Sequence, residues 1–162
     1  MTVTLAPFSP DDIDWLVEAH QSQYAQDEGF DESFGALVAQ ILNDFAADHD
    51  PERERGFIAW EDGQRLGCIF CVRLSDETAK LRLFFLTPDA RGKGLGKRLL
   101  QANMDFAKDA GYRRMELWTH ESHRAACALY AAHGWVLRAS KPVTSFGVPL
   151  IEQAWDIDLS LV

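Results

Sequence analysis

The amino-acid sequence predicts a mixed α/β fold: one mostly antiparallel sheet of six to seven strands with helices on both faces. Three observations carry this expectation. Apolar residues recur at helical spacing in some segments and at strand spacing in others, and three consecutive strand-like runs are joined by links short enough for hairpins. A later strand-turn-helix-strand passage requires a crossover, expected to be right-handed. With 162 residues, 47% hydrophobic and 25% charged, the chain has apolar material for one core, and a single domain over residues 1–162 is expected.

Residues 3–8 read as the first strand. Ser9-Pro10-Asp11-Asp12 then starts a helix, with serine as cap, proline in the first turn and two acids facing the positive end of the dipole. Ile13, Leu16, Val17, His20 and Tyr24 mark its buried stripe, and Gly29 ends it. A second helix, about 32–48, carries Phe34, Leu37, Val38, Ile41, Leu42 and Phe45 at helical spacing. Strands at 56–60, 65–74 and 79–86 are linked by Glu61-Asp62-Gly63 and a polar turn at 75–78, an antiparallel meander. Leu95, Leu99, Leu100, Met104 and Phe106 mark a helix over about 94–110, with Gly111 at its C-terminal cap. A strand at 113–119, a short helix over about 122–132 stopped by Gly134, and strands at 135–139 and 150–159 complete the order β-α-α-β-β-β-α-β-α-β-β.

The formal charge of −9 opposes non-specific binding to nucleic acid or anionic lipid and mildly favours a cationic small substrate. No apolar run reaches the length of a membrane span, and the first 30 residues are acidic rather than signal-like, so a cytoplasmic protein without a membrane or nucleic-acid partner is expected. Cys68, Cys71 and Cys127 are read as reduced core residues, with no metal site.

The most informative stretch is the turn from Leu86 to Leu100, where a strand end and a proline turn lead through Gly92, Gly94 and Gly96 into a helix. Glycines let backbone N–H groups approach a phosphate, the helix start adds unsatisfied donors, and Arg91, Lys93, Lys97 and Arg98 add cations to an acidic chain. The plainer alternative is a solvated basic turn. A P-loop is excluded because Arg91 occupies its first glycine position and Arg98 its hydroxyl position. A dinucleotide fingerprint beginning at Gly92 would place Lys97 at its third glycine.

Arg91-Gly92-Lys93-Gly94-Leu95-Gly96 resembles the acetyl-CoA signature of the Gcn5-related N-acetyltransferase (GNAT) superfamily. Ala126-Cys127-Ala128-Leu129-Tyr130-Ala131-Ala132-His133-Gly134-Trp135 is similar to that family's second conserved segment. Residues 143–155 resemble the acetyltransferase half of bacterial MarR-GNAT fusion proteins; no DNA-binding segment is expected ahead of them here. The resemblance implies a GNAT-like sheet and an acetyltransferase using acetyl-CoA as cosubstrate on a small-molecule or peptide amine, by direct attack in a ternary complex. It implies pantetheine pairing at Leu86 and Thr87, with an oxyanion donor near Leu86. It further implies diphosphate contacts at Arg91, Gly92, Lys93, Gly94, Leu95, Gly96 and Lys97. Tyr130 is the expected proton donor to the departing thiolate. His123, where the family often has asparagine, is a further cofactor contact.

No carboxylate lies on the strand before the turn, and Glu116, His120 and Glu121 are only alternatives for the base, so none is assigned. His20, Tyr24, Asp27, Glu28, Arg82 and Phe146 are candidates to line the acceptor pocket. Apolar residues in the last hairpin suit either a homodimer or the core. The competing functional reading is a non-catalytic acyl-CoA-binding or sensing module.

Overall fold

The computed structural model describes residues 2–162. β1 (Thr4–Pro7) leads into α1 (Ile13–Glu28) and α2 (Glu32–Ala47), and β2 (Arg55–Glu61), β3 (Gln64–Arg73) and β4 (Thr78–Leu86) form the meander. Then α3 (Leu95–Asp109) crosses to β5 (Arg114–His120), and α4 (Arg124–Ala132) precedes the hairpin of β6 (Val136–Ser145) and β7 (Val148–Asp158). The seven strands form one sheet in the order β1-β2-β3-β4-β5-β7-β6, antiparallel throughout except for the β4–β5 pair.

Alternation along β3 explains how one strand serves two cores. Cys68 and Phe70 face α1 and α2, packing with Leu16, Val38, Leu42 and Phe45. Ile69 and Cys71 face α3, packing with Leu99, Leu100, Met104 and Met115. A strand buried on both faces needs an unbroken apolar run, which is what residues 68–72 provide. In the 3-10 turn Pro10–Asp12 that leads into α1, Ser9 and Asp12 cap each other reciprocally, and buried Asp12 accepts a 2.8 Å hydrogen bond from Arg65 of β3. That pair pins the helix start to the sheet.

Three local expectations change. Leu37 is 42% exposed, because the apolar arc on α2 is wider than the stripe that reaches the sheet. α4 begins at Arg124, with His123 as its N-cap. β6 extends beyond 139 to Ser145 despite Ser140, Lys141 and Pro142; as the edge strand it tolerates a residue without an amide hydrogen. Its register runs to Ser145↔Val148, and a tight turn at Phe146-Gly147 closes the hairpin. Among the described residues, no helix is long and apolar enough to cross a membrane.

Candidate active site

The site begins where the sheet stops pairing. β4 and β5 are in register only at Thr78↔Arg114, Ala79↔Met115 and Lys80↔Glu116, although β4 continues to Leu86 and β5 to His120. The cause is visible on the other side of β4. Cys68 pairs with Phe85 and Phe70 with Arg82, so β4 carries an extra residue there, and Leu83 takes a φ of 55°. A bulge bends the strand that carries it, here opening a wedge between β4 and β5.

Backbone pairing beyond the bulge decides which groups face the wedge. Thr87 donates its amide to the Leu66 carbonyl at 2.9 Å and accepts from the Ala90 amide at 3.0 Å. Both of its main-chain groups are therefore engaged within the protein. Successive residues of a strand point their N–H and C=O to opposite sides, so those of Leu86 face away from β3 into the wedge.

The glycine turn follows directly. Gly92 and Gly94 take φ values of 75° and 82°, a left-handed region that glycine adopts without a Cβ penalty. Flanking amides are occupied: Arg91 donates to Pro88 and Arg98 to Gly94, each at 3.2 Å. Between them, the amides of residues 92–97 donate to no acceptor among the described residues, and Gly94 supplies no side-chain cap to α3. The result is a run of main-chain donors at the positive end of a helix. Gly96 lets this helix start sit close to its neighbours; a Cβ there would lie 3.1 Å from Leu129 and 3.4 Å from Leu86.

The side-chain cations divide. Arg91 lies 3.5 Å from Asp27, and exposed Lys93 is unpaired among the described residues. Arg98, expected at the turn, instead donates to the Val3 carbonyl at 2.7 Å, because its place on the first turn of α3 points it toward β1. The Lys97 side chain lines a shallow groove with Leu5 and Arg98, leaving its amide as its contribution to the turn.

Two adjoining cavities occupy the wedge. The first, about 500 Å³, is lined by Phe84, Leu86, Arg91, Asp27, Glu28, His123 and Leu129. The second, about 220 Å³, lies among His20, Tyr24, Phe30, Phe34, Arg82, Trp118, His120, Tyr130 and Phe146. Tyr24, Phe84, His123 and Ala126 line both, so the cavities meet at these side chains.

Tyr130, from α4, is 3% exposed, with its ring 6.3 Å from Phe84, 5.7 Å from Trp135 and 6.0 Å from Trp155. Its hydroxyl makes no hydrogen bond among the described residues, and burial pushes the phenol far above its ordinary range. It is thus a neutral donor. His123 stands at the junction, its ring 5.2 Å from Tyr24, Nδ1 3.1 Å from Thr119 Oγ1 and Nε2 3.7 Å from Glu28. Burial lowers the pKa of both His123 and His120.

His20, Tyr24, Arg82 and Phe146 all line the smaller cavity, while Asp27 and Glu28 line the larger. Glu28 is not the solvated helix end that its sequence suggests: its side chain is 11% exposed and accepts a 2.8 Å hydrogen bond from Ser122. Of the carboxylates weighed as bases, Glu116 sits opposite Lys80 in the closed part of the β4–β5 pair, and Glu121 lines a separate surface groove. Sequence reasoning missed Phe30 and Phe84 as lining residues and placed Phe34 only in the α2 core. Four consecutive apolar residues, 83–86, reflect packing on both faces of β4, Phe84 and Leu86 on one side and Leu83 and Phe85 on the other, and nothing in them singles out the bulge.

Residues 13–135 match the acetyltransferase (GNAT) family. The chain is 26% identical over 140 residues to an uncharacterized N-acetyltransferase of Methanocaldococcus jannaschii, a stretch covering 83% of this chain and 61% of that protein. It is 35% identical over 65 residues to the L-amino acid N-acyltransferase MnaT of Escherichia coli, covering 39% of this chain and 38% of the relative. In fold it is similar to a solved GNAT superfamily phosphinothricin acetyltransferase from Sinorhizobium meliloti in complex with AcCoA. There the TM-score is 0.77 at 21% identity, over 98% of this chain and 89% of that one. With the family match spanning both the glycine turn and α4, the chain belongs to the acetyltransferase (GNAT) family.

Proposed function

We propose that this protein acts as a single domain that transfers the acetyl group of acetyl-CoA to a primary amine by direct attack in a ternary complex. The observation that carries the reading is the continuity of unengaged amides at 92–97 with a strand wedge that ends at Tyr130. The amides of this turn, with Arg91 and Lys93 beside them, suit the diphosphate of the cosubstrate. Leu86, at the wedge, offers main-chain groups to the pantetheine arm, and its N–H suits the thioester oxygen as negative charge develops there. His123 and Leu129 lie along the same arm.

The amine lone pair attacks the thioester carbonyl carbon, the C–S bond breaks, the thiolate leaves with the sulfur electron pair, and the nitrogen, now part of an amide, releases its surplus proton to water. Tyr130 donates a hydrogen bond to that sulfur. A free phenol, with a pKa near 10 against about 8.5 for a thiol, is already a weaker acid by roughly 2 kcal/mol. Burial in this protein widens the gap, so donation during departure, rather than full proton transfer, is the role assigned to Tyr130. The amine must arrive without its extra proton. His120 and His123 have pKa values lowered by burial, each with a buried nitrogen that makes no hydrogen bond among the described residues, that of His123 lying 3.7 Å from Glu28, and they are suited to pass that proton to water.

Direct attack is also supported by the cysteines. Burial pushes the Cys71 thiol up to about 12, and the thiols of Cys68 and Cys127 are raised as well, so none is an activated nucleophile for an acyl-enzyme. On the free edge of the sheet, Val136 and Leu137 are 44% and 41% exposed, and a homodimer through this hairpin is part of the proposal. Sedimentation velocity tests it: a single monomeric species at micromolar concentration contradicts it.

The decisive experiment combines calorimetric titration with acetyl-CoA and a thiol-release assay over a library of amines. The expected result is binding that weakens with salt and CoA release that depends on the amine. Binding without transfer to any amine would instead leave an acyl-CoA-binding module, and absence of binding at millimolar acetyl-CoA would overturn the reading.

A further inference from the structure

The smaller cavity carries one fixed charge, and its sign opposes that of the protein. No carboxylate lines it, and its three histidines are held neutral, leaving Arg82 as the ionised side chain. The guanidinium of Arg82 has neither hydrogen bond nor ion pair among the described residues. Elsewhere in this acidic chain Arg65, Arg73, Arg91, Arg113, Arg114 and Arg138 each sit against a carboxylate. A guanidinium partly withdrawn from water inside a cavity, with its planar fork of donors unspent, is matched to an incoming planar anion.

A second observation comes from His20. Its Nδ1–H donates to the Leu16 carbonyl at 2.7 Å, which leaves Nε2 as a bare lone pair. Nε2 is fully buried at the cavity and has no partner. A buried acceptor of this kind selects an N–H or O–H and disfavours a second anion.

We infer that the acceptor is a small amine carrying a carboxylate, held by Arg82 with its amino group presented at the junction of the two cavities; this rests on the acetyl-transfer reading. The spacing fits. Arg82 and the junction residue Phe84 lie two positions apart on β4, roughly 6–7 Å along an ordinary strand and less across a bulge. An arginine fork therefore reaches a carboxylate one or two carbons from the amine, as in an amino acid. Phe30, Phe34 and Phe146, with ring centroids 4.9–5.0 Å apart, form an aromatic wall for an apolar side chain. About 220 Å³ is below the range of a typical drug-sized site and holds one such molecule.

The test compares kcat/KM for L-phenylalanine and L-methionine with that for 2-phenylethylamine and 3-(methylthio)propylamine, the same molecules without the carboxylate, after acetyl-CoA binding has been measured on the same preparations. The wild-type protein is expected to prefer each amino acid by about 100-fold. Arg82→Gln should collapse that preference toward parity through KM of the amino acid, and Arg82→Lys should recover part of it as a point charge without the fork. Parity in the wild type, an undiminished preference in Arg82→Gln, or acetyl-CoA binding with no amino acid turned over would each overturn the inference. Failure of the wild type to bind acetyl-CoA would strike the acetyl-transfer reading instead.

Discussion

The glycine turn and the smaller cavity are built from opposite materials. At the turn, six consecutive residues, 92–97, expose main-chain donors, and side chains are secondary: Arg98 is committed to Val3 and Lys97 points to another groove. In the cavity the main chain recedes and side chains from α1, α2, β4, β5, α4 and the last hairpin converge. A common cosubstrate arm needs only backbone geometry, which many sequences can supply. A particular acceptor needs particular side chains, and these are free to change without disturbing the turn. Leu86, where strand meets wedge, belongs to the first kind of region, and Tyr130 joins the two.

If that division holds, the largest loss comes from the backbone. Leu86→Pro removes an N–H that points into the wedge, not into the β3 ladder. The expected outcome is a fall in kcat of about 300-fold with melting temperature changed by only a few degrees, read from single-turnover kinetics and calorimetry. A kcat within threefold of wild type would remove the proposed oxyanion donor.

The cavity side has its own measurable signature in acid. Burial lowers the pKa of His20 to about 4 from 6.5. Between these values the unfolded chain binds more protons than the folded one, so stability is complete above pH 6.5 and declines as pH falls toward 4. The shift corresponds to about 3 kcal/mol, read as urea midpoints between pH 6.5 and 4. His20→Phe should remove this contribution, leaving that of His120 and His123, whose pKa values burial also lowers; an unchanged slope would place His20 in contact with solvent.

Tyr130→Phe sharpens the comparison at the point where the regions meet. A fall in kcat of about 30-fold at saturating acetyl-CoA, with its binding constant unchanged, is expected of a hydrogen-bond donor that does not complete proton transfer. The smallest effect is at the turn itself. Gly94→Ala meets no neighbouring atom but must hold φ near 82°, a cost of about 1 kcal/mol in unfolding free energy.

The same contrast explains what was legible in the sequence. The turn is contiguous, so its glycines, its helix start and the exclusion of a P-loop could be read from Leu86 to Leu100, and Tyr130 came with the second family-like segment. The meander and the amphipathic faces of α2 and α3 followed from periodicity. The wedge did not. Nothing in the identity of Leu83 announces a positive φ; beyond the bulge Phe85 pairs with Cys68 and packs against His20, their rings 4.5 Å apart. Phe30 and Phe34 read as an ordinary loop residue and an ordinary helix stripe, and only the return of Phe146 on the last hairpin makes them a wall. Glu28 looked solvated because the partner that covers it, the start of α4, lies far away along the chain.

The central claim is that main-chain donors at 92–97 hold the diphosphate while the thioester arm lies along Leu86. An amide chemical-shift titration of the isotope-labelled protein with acetyl-CoA, set beside one with a pantetheine derivative lacking the diphosphate, tests it most directly. Large shifts are expected at residues 92–97 with acetyl-CoA only, and shifts at Phe84 and Leu86 with both. Saturation by acetyl-CoA that leaves the amides of 92–97 unmoved would contradict it.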